Sequence, residues 1–214
     1  MSVRNKGDKE PEVGTARVEA FFDAVLAIVL TILVLELHSP SREQAAAIGF
    51  FKALSADWPS YVAYLLSFAV IGSYWLAHHR FMTLVRSTNH LFNLLTLALL
   101  LSLSTLPFAT AVLGEHLGGP AGADASRLYV AAMALPSGVW CAGFAYARRA
   151  GLLSPNLDKT DLHRRGRTYA ASFAIHVAAI VVSFVIPVVA VLAALALPVF
   201  YLLPERTRTP EIGA

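Results

Sequence analysis

RVEAFFDAVLAIVLTILVLEL, residues 17–37, is the stretch whose reading decides the fold. From Ala24 to Leu35 every side chain except Thr31 is apolar. A helix over 18–37 would be about 30 Å long, the thickness of a bilayer's hydrocarbon core. A polar segment precedes it, and a cleaved signal peptide would show the same positive-then-apolar order, but it would also need small residues at a cleavage site. Here Glu36, Leu37, His38, Ser39 and Pro40 follow, with no A-x-A pattern. The segment is therefore expected to persist as a transmembrane helix in the mature protein.

The rest of the chain agrees. Its residues are 57% hydrophobic and 14% charged, with a mean hydropathy of +0.60. A soluble domain carries about 25% charged residues, so part of this surface must face lipid. Further apolar blocks place helix 2 at 58–77, helix 3 at 91–113 and helix 4 at 128–147. One helix over 169–203 would be about 52 Å long, too long for a single crossing. Pro187 has no amide hydrogen and interrupts the ladder near its middle. The expectation is a hairpin, with helix 5 at 169–186 and helix 6 at 187–203.

Charge placement sets the orientation. With the N-terminus cytoplasmic and six spans, the inner segments hold 14 of the 17 basic residues, leaving Arg42, Lys52 and Arg127 outside. Five spans would put Arg206 and Arg208 on the wrong side of the positive-inside rule. The chain is thus expected to be an all-α membrane protein of six transmembrane helices with both termini cytoplasmic. Residues 1–16 form an N-terminal segment, 17–204 the membrane domain and 205–214 a cytoplasmic tail. The 148–167 connection is polar and basic, suited to anionic headgroups, and 113–126 is a Gly- and Ala-rich linker. Six spans without an internal repeat seldom enclose an ion path alone, so a symmetric oligomer is the natural form.

The net charge of +3 and pI of 9.2 do not indicate nucleic acid, because the basic residues lie between apolar blocks without interleaved aromatics. Cys141 is alone, so no intrachain disulfide is possible. Asp158, Asp161 and His163 are too loosely spaced for a metal loop. Gly118 and Gly119 belong to a linker, not to a phosphate cradle. No nucleophile–base pair is legible. The chain is not expected to be an enzyme or to hold a cofactor or fixed metal ion.

Helix 1 is unusual for a lipid-facing span. Arg17, Glu19 and Asp23 crowd its start, and ionisable groups at membrane depth are costly unless paired or wet. At about 100° per residue, Ile28, Ile32 and Leu35 fall within about 60° of one another, with Thr31 bordering the stripe. Asp23 lies about 140° from Ile28. Arg17 and Asp23 are about 120° apart, so they are not an i,i+4 pair and should find partners on other helices. Trp75 offers an indole donor, and His78 or His79 can donate or accept. By residues alone, the Ile28 stripe reads first as an ordinary helix–helix seam, with Thr31 bonded to its own backbone.

RVEAFFD (Arg17, Phe21, Phe22, Asp23) followed by AVLAIVLTILVLEL resembles the R-x-x-x-F-S-D signature of the TMEM175 potassium-channel family. SYWLAHHRF (Trp75, His78, His79) resembles the end of that family's second helix, and NLLTLALLLSLSTLPFAT (Asn93, Pro107, Thr110) its third. The order and spacing of the three stretches fit over about the first half of the chain; the second half matches only in hydropathy. One position departs: Phe22 stands where the signature has Ser, which removes a hydroxyl from the family's polar cluster.

The resemblance implies a K⁺-permeable, weakly selective cation channel without a carbonyl-lined filter, and the sequence has no TVGYG-like loop. It implies a homotetramer with the first helices lining the axis, in a bacterial plasma membrane, conducting K⁺ and less Na⁺. Carried onto this sequence, the constriction falls on Ile28, Thr31, Ile32 and Leu35, with K⁺ passing near Thr31. The polar cluster falls on Arg17, Phe21, Asp23, Trp75, His78, His79 and Asn93. The alternative is a proton-permeable channel or proton-coupled transporter using Asp23, His78 and His79 as a relay.

Overall fold

The computed structural model describes residues 12–202, with side chains over 15–195. The expected segments 1–16 and 205–214 fall wholly or mostly outside the described residues, as do Arg4, Lys6, Lys9, Arg206 and Arg208. The described residues are helical, apart from turns and one isolated bridge between Val85 and Leu153. In order they form α1 (Glu12–Ile32), α2 (Arg42–Ile48), α3 (Phe50–Ala56), α4 (Trp58–Met82), α5 (His90–Ser104), α6 (Leu106–His116), α7 (Gly122–Arg149), α8 (Lys159–Ser183) and α9 (Pro187–Leu202).

Among the described residues, five segments are long and apolar enough to cross a membrane: Thr15–Glu36, Trp58–Met82, His90–His116, Gly122–Arg149 and Lys159–Ser183. The chain is an integral membrane protein. The expected sixth crossing corresponds to α9, whose 16 residues reach only about 24 Å.

Several boundaries differ from expectation, each for a local reason. The α-helical part of helix 1 ends at Ile32, and Leu33–Glu36 tightens into a 3₁₀ turn before Pro40. The 38–57 connection is not an open loop. Ser41 and Gln44 form a reciprocal cap on α2, at 3.1 Å and 3.0 Å, and Gly49, at φ 88°, turns the chain directly into α3.

Helix 3, expected as one run over 91–113, divides at Thr105, because Pro107 supplies no amide to the preceding turn. Hydroxyls occupy carbonyls at the break: Ser104 Oγ donates to Leu100 O at 2.8 Å and Thr105 Oγ1 to Ser102 O at 2.7 Å. The 113–126 linker shrinks to a short turn, since α7 already begins at Gly122.

Helix 5 begins ten residues before its expected start at 169. Asp158 caps it, accepting from Thr160 N at 3.0 Å, and Asp161 bridges Arg164 and Arg165 across its first turns. Local ion pairs and a cap make this polar stretch helical where hydropathy sees only a loop.

α7 is the centre of the bundle, packing on α5, α6, α8 and α9. α4 packs on α6 and α9, and α1 lies on the outside against α4 and α5. At the core, Tyr129 Oη of α7 lies 2.8 Å from Ser67 Oγ of α4, which lies 2.6 Å from Thr110 Oγ1 of α6. All three residues are buried. Interhelical hydroxyl bonds in membranes contribute about 0.6 kcal/mol on average and up to about 1.7. Tyr129→Phe removes the phenolic oxygen from this set and is expected to destabilise the folded chain by about 1 kcal/mol, read as an earlier unfolding midpoint in detergent titration.

Candidate functional site

α1 uses one face to hold itself to the rest of the chain. Phe22, Leu26, Val29 and Leu33 repeat at helical spacing and are all buried. The face rotated away from them carries Ile28, Thr31, Ile32 and Leu35, and all four are exposed. Ile28 is 58% and Leu35 72% exposed. Among the described residues, no neighbour buries any of the four. Thr31 Oγ1 donates to Ile28 O at 2.9 Å, as a threonine in a helix commonly does. Its one hydrogen is thereby spent on the backbone, leaving the oxygen lone pairs on the exposed side.

At the start of α1 the structure joins four side chains in two rungs. Trp75 Nε1–H donates to Asp23 Oδ1 at 3.0 Å, and His79 Nδ1–H donates to Glu19 Oε1 at 2.8 Å. Glu19 and Asp23 are i,i+4 on α1, and Trp75 and His79 are i,i+4 on α4. The two helices run antiparallel here, so each pair stacks along one face and meets the other. The Trp75 and His79 rings are themselves stacked at 6.4 Å. Glu19 was absent from the cluster expected from sequence, although its spacing to Asp23, matched by that of Trp75 to His79, is the signal that reveals it.

His78 points elsewhere. It is buried, with its ring 3.5 Å from that of Phe22 and nearly parallel to it, at 6°. The departure from the family signature is thus a packed ring where a hydroxyl is expected, and its partner is the histidine beside the rungs. Trp140 of α7 closes the other side of His78, with ring centroids 6.4 Å apart. Arg17, Phe21 and Asn93 are exposed and lie outside these contacts. Among the described residues no group of three or more His, Cys, Asp or Glu side chains could hold a metal ion.

The indole–carboxylate bond is partly solvent-exposed, which limits its contribution to about 1 kcal/mol. Trp75→Phe keeps a ring but deletes the donor. It is expected to lower stability by about that amount, and Glu19→Gln, at an exposed ion pair, by less. Parallel thermal melts of the two variants check the order.

The family profile described as "Endosomal/lysosomal potassium channel TMEM175" matches residues 17–107, which include both the α1 face and the two rungs. A potassium channel of Chamaesiphon minutus is 34% identical over 170 residues, covering 79% of this chain and 84% of that protein. A potassium channel of Streptomyces collinus is 35% identical over 149 residues, covering 67% of this chain and 70% of its own. The chicken endosomal/lysosomal proton channel TMEM175 is 35% identical over 105 residues, or 46% of this chain and 21% of that one. The crystal structure of a lysosomal potassium-selective channel TMEM175 homologue from Chamaesiphon minutus superposes with a TM-score of 0.78 at 30% identity, covering 88% of this chain and 96% of that one. A relative matched over most of both chains, a profile match running from α1 through α5 and a shared fold agree: the chain belongs to the TMEM175 family.

Proposed function

We propose that this chain is one subunit of a cation channel permeable to K⁺, with copies of α1 surrounding a central axis and a narrow apolar ring at Ile28. The observation that carries the reading is the division of α1 into two faces: Phe22, Leu26, Val29 and Leu33 pack within the subunit, while Ile28, Thr31, Ile32 and Leu35 are left for something outside it. Four copies meeting on that face form a homotetramer in which each subunit crosses the membrane six times, α9 making the last crossing and both termini lying in the cytoplasm. The potassium channels named among its relatives support K⁺ as the permeant ion, and the bacterial sources support a plasma-membrane location.

The apolar ring offers ions no oxygen in place of the water they shed, so it closes by dewetting when narrow and conducts when widened. One turn on, Thr31 presents hydroxyl lone pairs from each subunit where an ion is partly dehydrated. Selection then follows the cost of removing water and favours K⁺ over Na⁺ only moderately. Its family and structural neighbours are ion channels, not enzymes.

Purified protein in planar bilayers with K⁺ on one side and Na⁺ on the other is expected to show unitary currents that reverse toward the K⁺ potential. Absence of cation current in every gradient removes the reading. A second reading, proton permeation or proton-coupled transport, draws on the Glu19–His79 and Asp23–Trp75 rungs at one end of α1 and on the vertebrate relatives named as proton channels. Current driven by a pH gradient without K⁺ or Na⁺ favours it, and flux that saturates at low turnover favours a carrier over a pore.

A further inference from the structure

Away from α1, a small cavity lies at the junction of α4, α7 and α8, its wall mainly apolar but including Ser73, Ser137, Ser172, Trp140 and His176. His176 is 1% exposed. Its Nδ1 lies 2.8 Å from the carbonyl oxygen of Ser172, one helical turn back. A carbonyl can only accept, so Nδ1 carries the ring proton, and in the neutral ring Nε2 is left as a bare acceptor. That Nε2 is buried and has no hydrogen-bond partner among the described residues. Nothing in the proposed conduction path uses it.

A buried acceptor without a donor is destabilising, the more so at membrane depth, where bulk water does not reach it. The surroundings contain what would relieve it. The cavity has a volume of about 20 Å³, above the roughly 10–15 Å³ that one water requires. Its walls carry serine hydroxyls from three helices, all buried. Ser73 Oγ already donates to Val70 O at 2.6 Å, so its oxygen is available to accept. Three hydrogen bonds are typical of a buried water, and the wall provides them.

We propose that this cavity is a built one-water site. The water donates one hydrogen to His176 Nε2 and the other to Ser73 Oγ, and accepts from the hydroxyl of Ser137 or Ser172, tying α4 to α7 and α8. The small serine side chains leave the room, and the unpaired histidine nitrogen calls for the donor. Because α4 also bears Trp75 and His79, the water anchors from behind the helix that holds the start of α1.

The test uses the full-length protein, labelled with ¹⁵N-histidine and reconstituted in bilayers, under magic-angle spinning, with the His176 signals assigned by their loss in His176→Gln. The expected result is a protonated Nδ1 and an unprotonated Nε2 that receives polarisation from water and is shifted by hydrogen bonding. An Nε2 without water transfer, in a sample where exposed His38 and His79 show it, overturns the proposal. A second measurement is independent of assignment. Ser137→Ala removes a hydroxyl that a hydrated site uses, so the thermal midpoint should fall by about 2–4 °C. In a dry cavity the same change deletes an unpaired polar group, and an unchanged or raised midpoint overturns the proposal.

Discussion

Ile28→Asn is expected to raise the resting K⁺ conductance at least tenfold. Ile28 is 58% exposed on the α1 face that no neighbour in the subunit covers, and in the proposed assembly its copies form the dewetting ring. An amide at that level lets water bridge the constriction and gives a passing cation oxygens to replace those it sheds. A tenfold change needs only about 1.4 kcal/mol off the barrier, and wetting a hydrophobic gate readily supplies that. Leu35→Asn should act in the same direction at its own level. Leu101→Asn is the control: Leu101 of α5 is also exposed, at 70%, but lies on another helix. Liposome flux and single-channel recordings of all three variants decide the matter. If Ile28→Asn leaves flux at the Leu101→Asn level while the oligomer is intact, the Ile28 face looks at lipid, and the pore must be sought elsewhere.

The second large effect concerns the residue that departs from the family signature. Phe22→Ser restores the family's hydroxyl, yet it is expected to destabilise the chain by about 3–5 kcal/mol, the range for deleting a buried aromatic side chain. Phe22 is fully buried and its ring lies flat on that of His78 at 3.5 Å. Serine would leave a cavity against the imidazole, and a bond from the new hydroxyl to the buried, unpartnered Nδ1 of His78 would offset only part of that loss. The melting midpoint should fall by roughly 10 °C or more, whereas Phe22→Leu, which keeps most of the volume, should fall much less. A Phe22→Ser protein as stable as the parent would mean that the ring is not packed as described.

Much of this molecule was legible in its hydropathy. Twenty-residue apolar blocks separated by basic connections identify a membrane protein, and the interruption at Pro187 falls where a missing amide hydrogen breaks the ladder. The break at Thr105, ahead of Pro107, lies inside what hydropathy reads as one run. Two other departures share one cause. The 159–168 stretch is helical because Asp158 caps it and Asp161 pairs with Arg164 and Arg165, and a hydropathy profile does not register such local pairing. Likewise, hydropathy gives 38–57 no span, whereas the Ser41–Gln44 cap and Gly49 fold it into two short helices.

The candidate site divides in the same way. Periodicity along α1 separates the Ile28 stripe from Asp23, because side-chain direction on a helix is fixed by its 3.6-residue repeat. Periodicity does not say which stripe is covered. Only the packing of Phe22, Leu26, Val29 and Leu33 against α4 and α5 shows that the Ile28 stripe is the uncovered one. The sequence also offers two adjacent histidines as equivalent partners for the charged start of α1. The tertiary structure sends His79 to Glu19 and turns His78 inward against Phe22, since residues 100° apart on one helix cannot meet the same neighbour. Composition and periodicity thus determine that this chain spans a membrane and which helical faces exist. Which face meets which neighbour depends on the register of one helix against another, a long-range relation that no local spacing encodes.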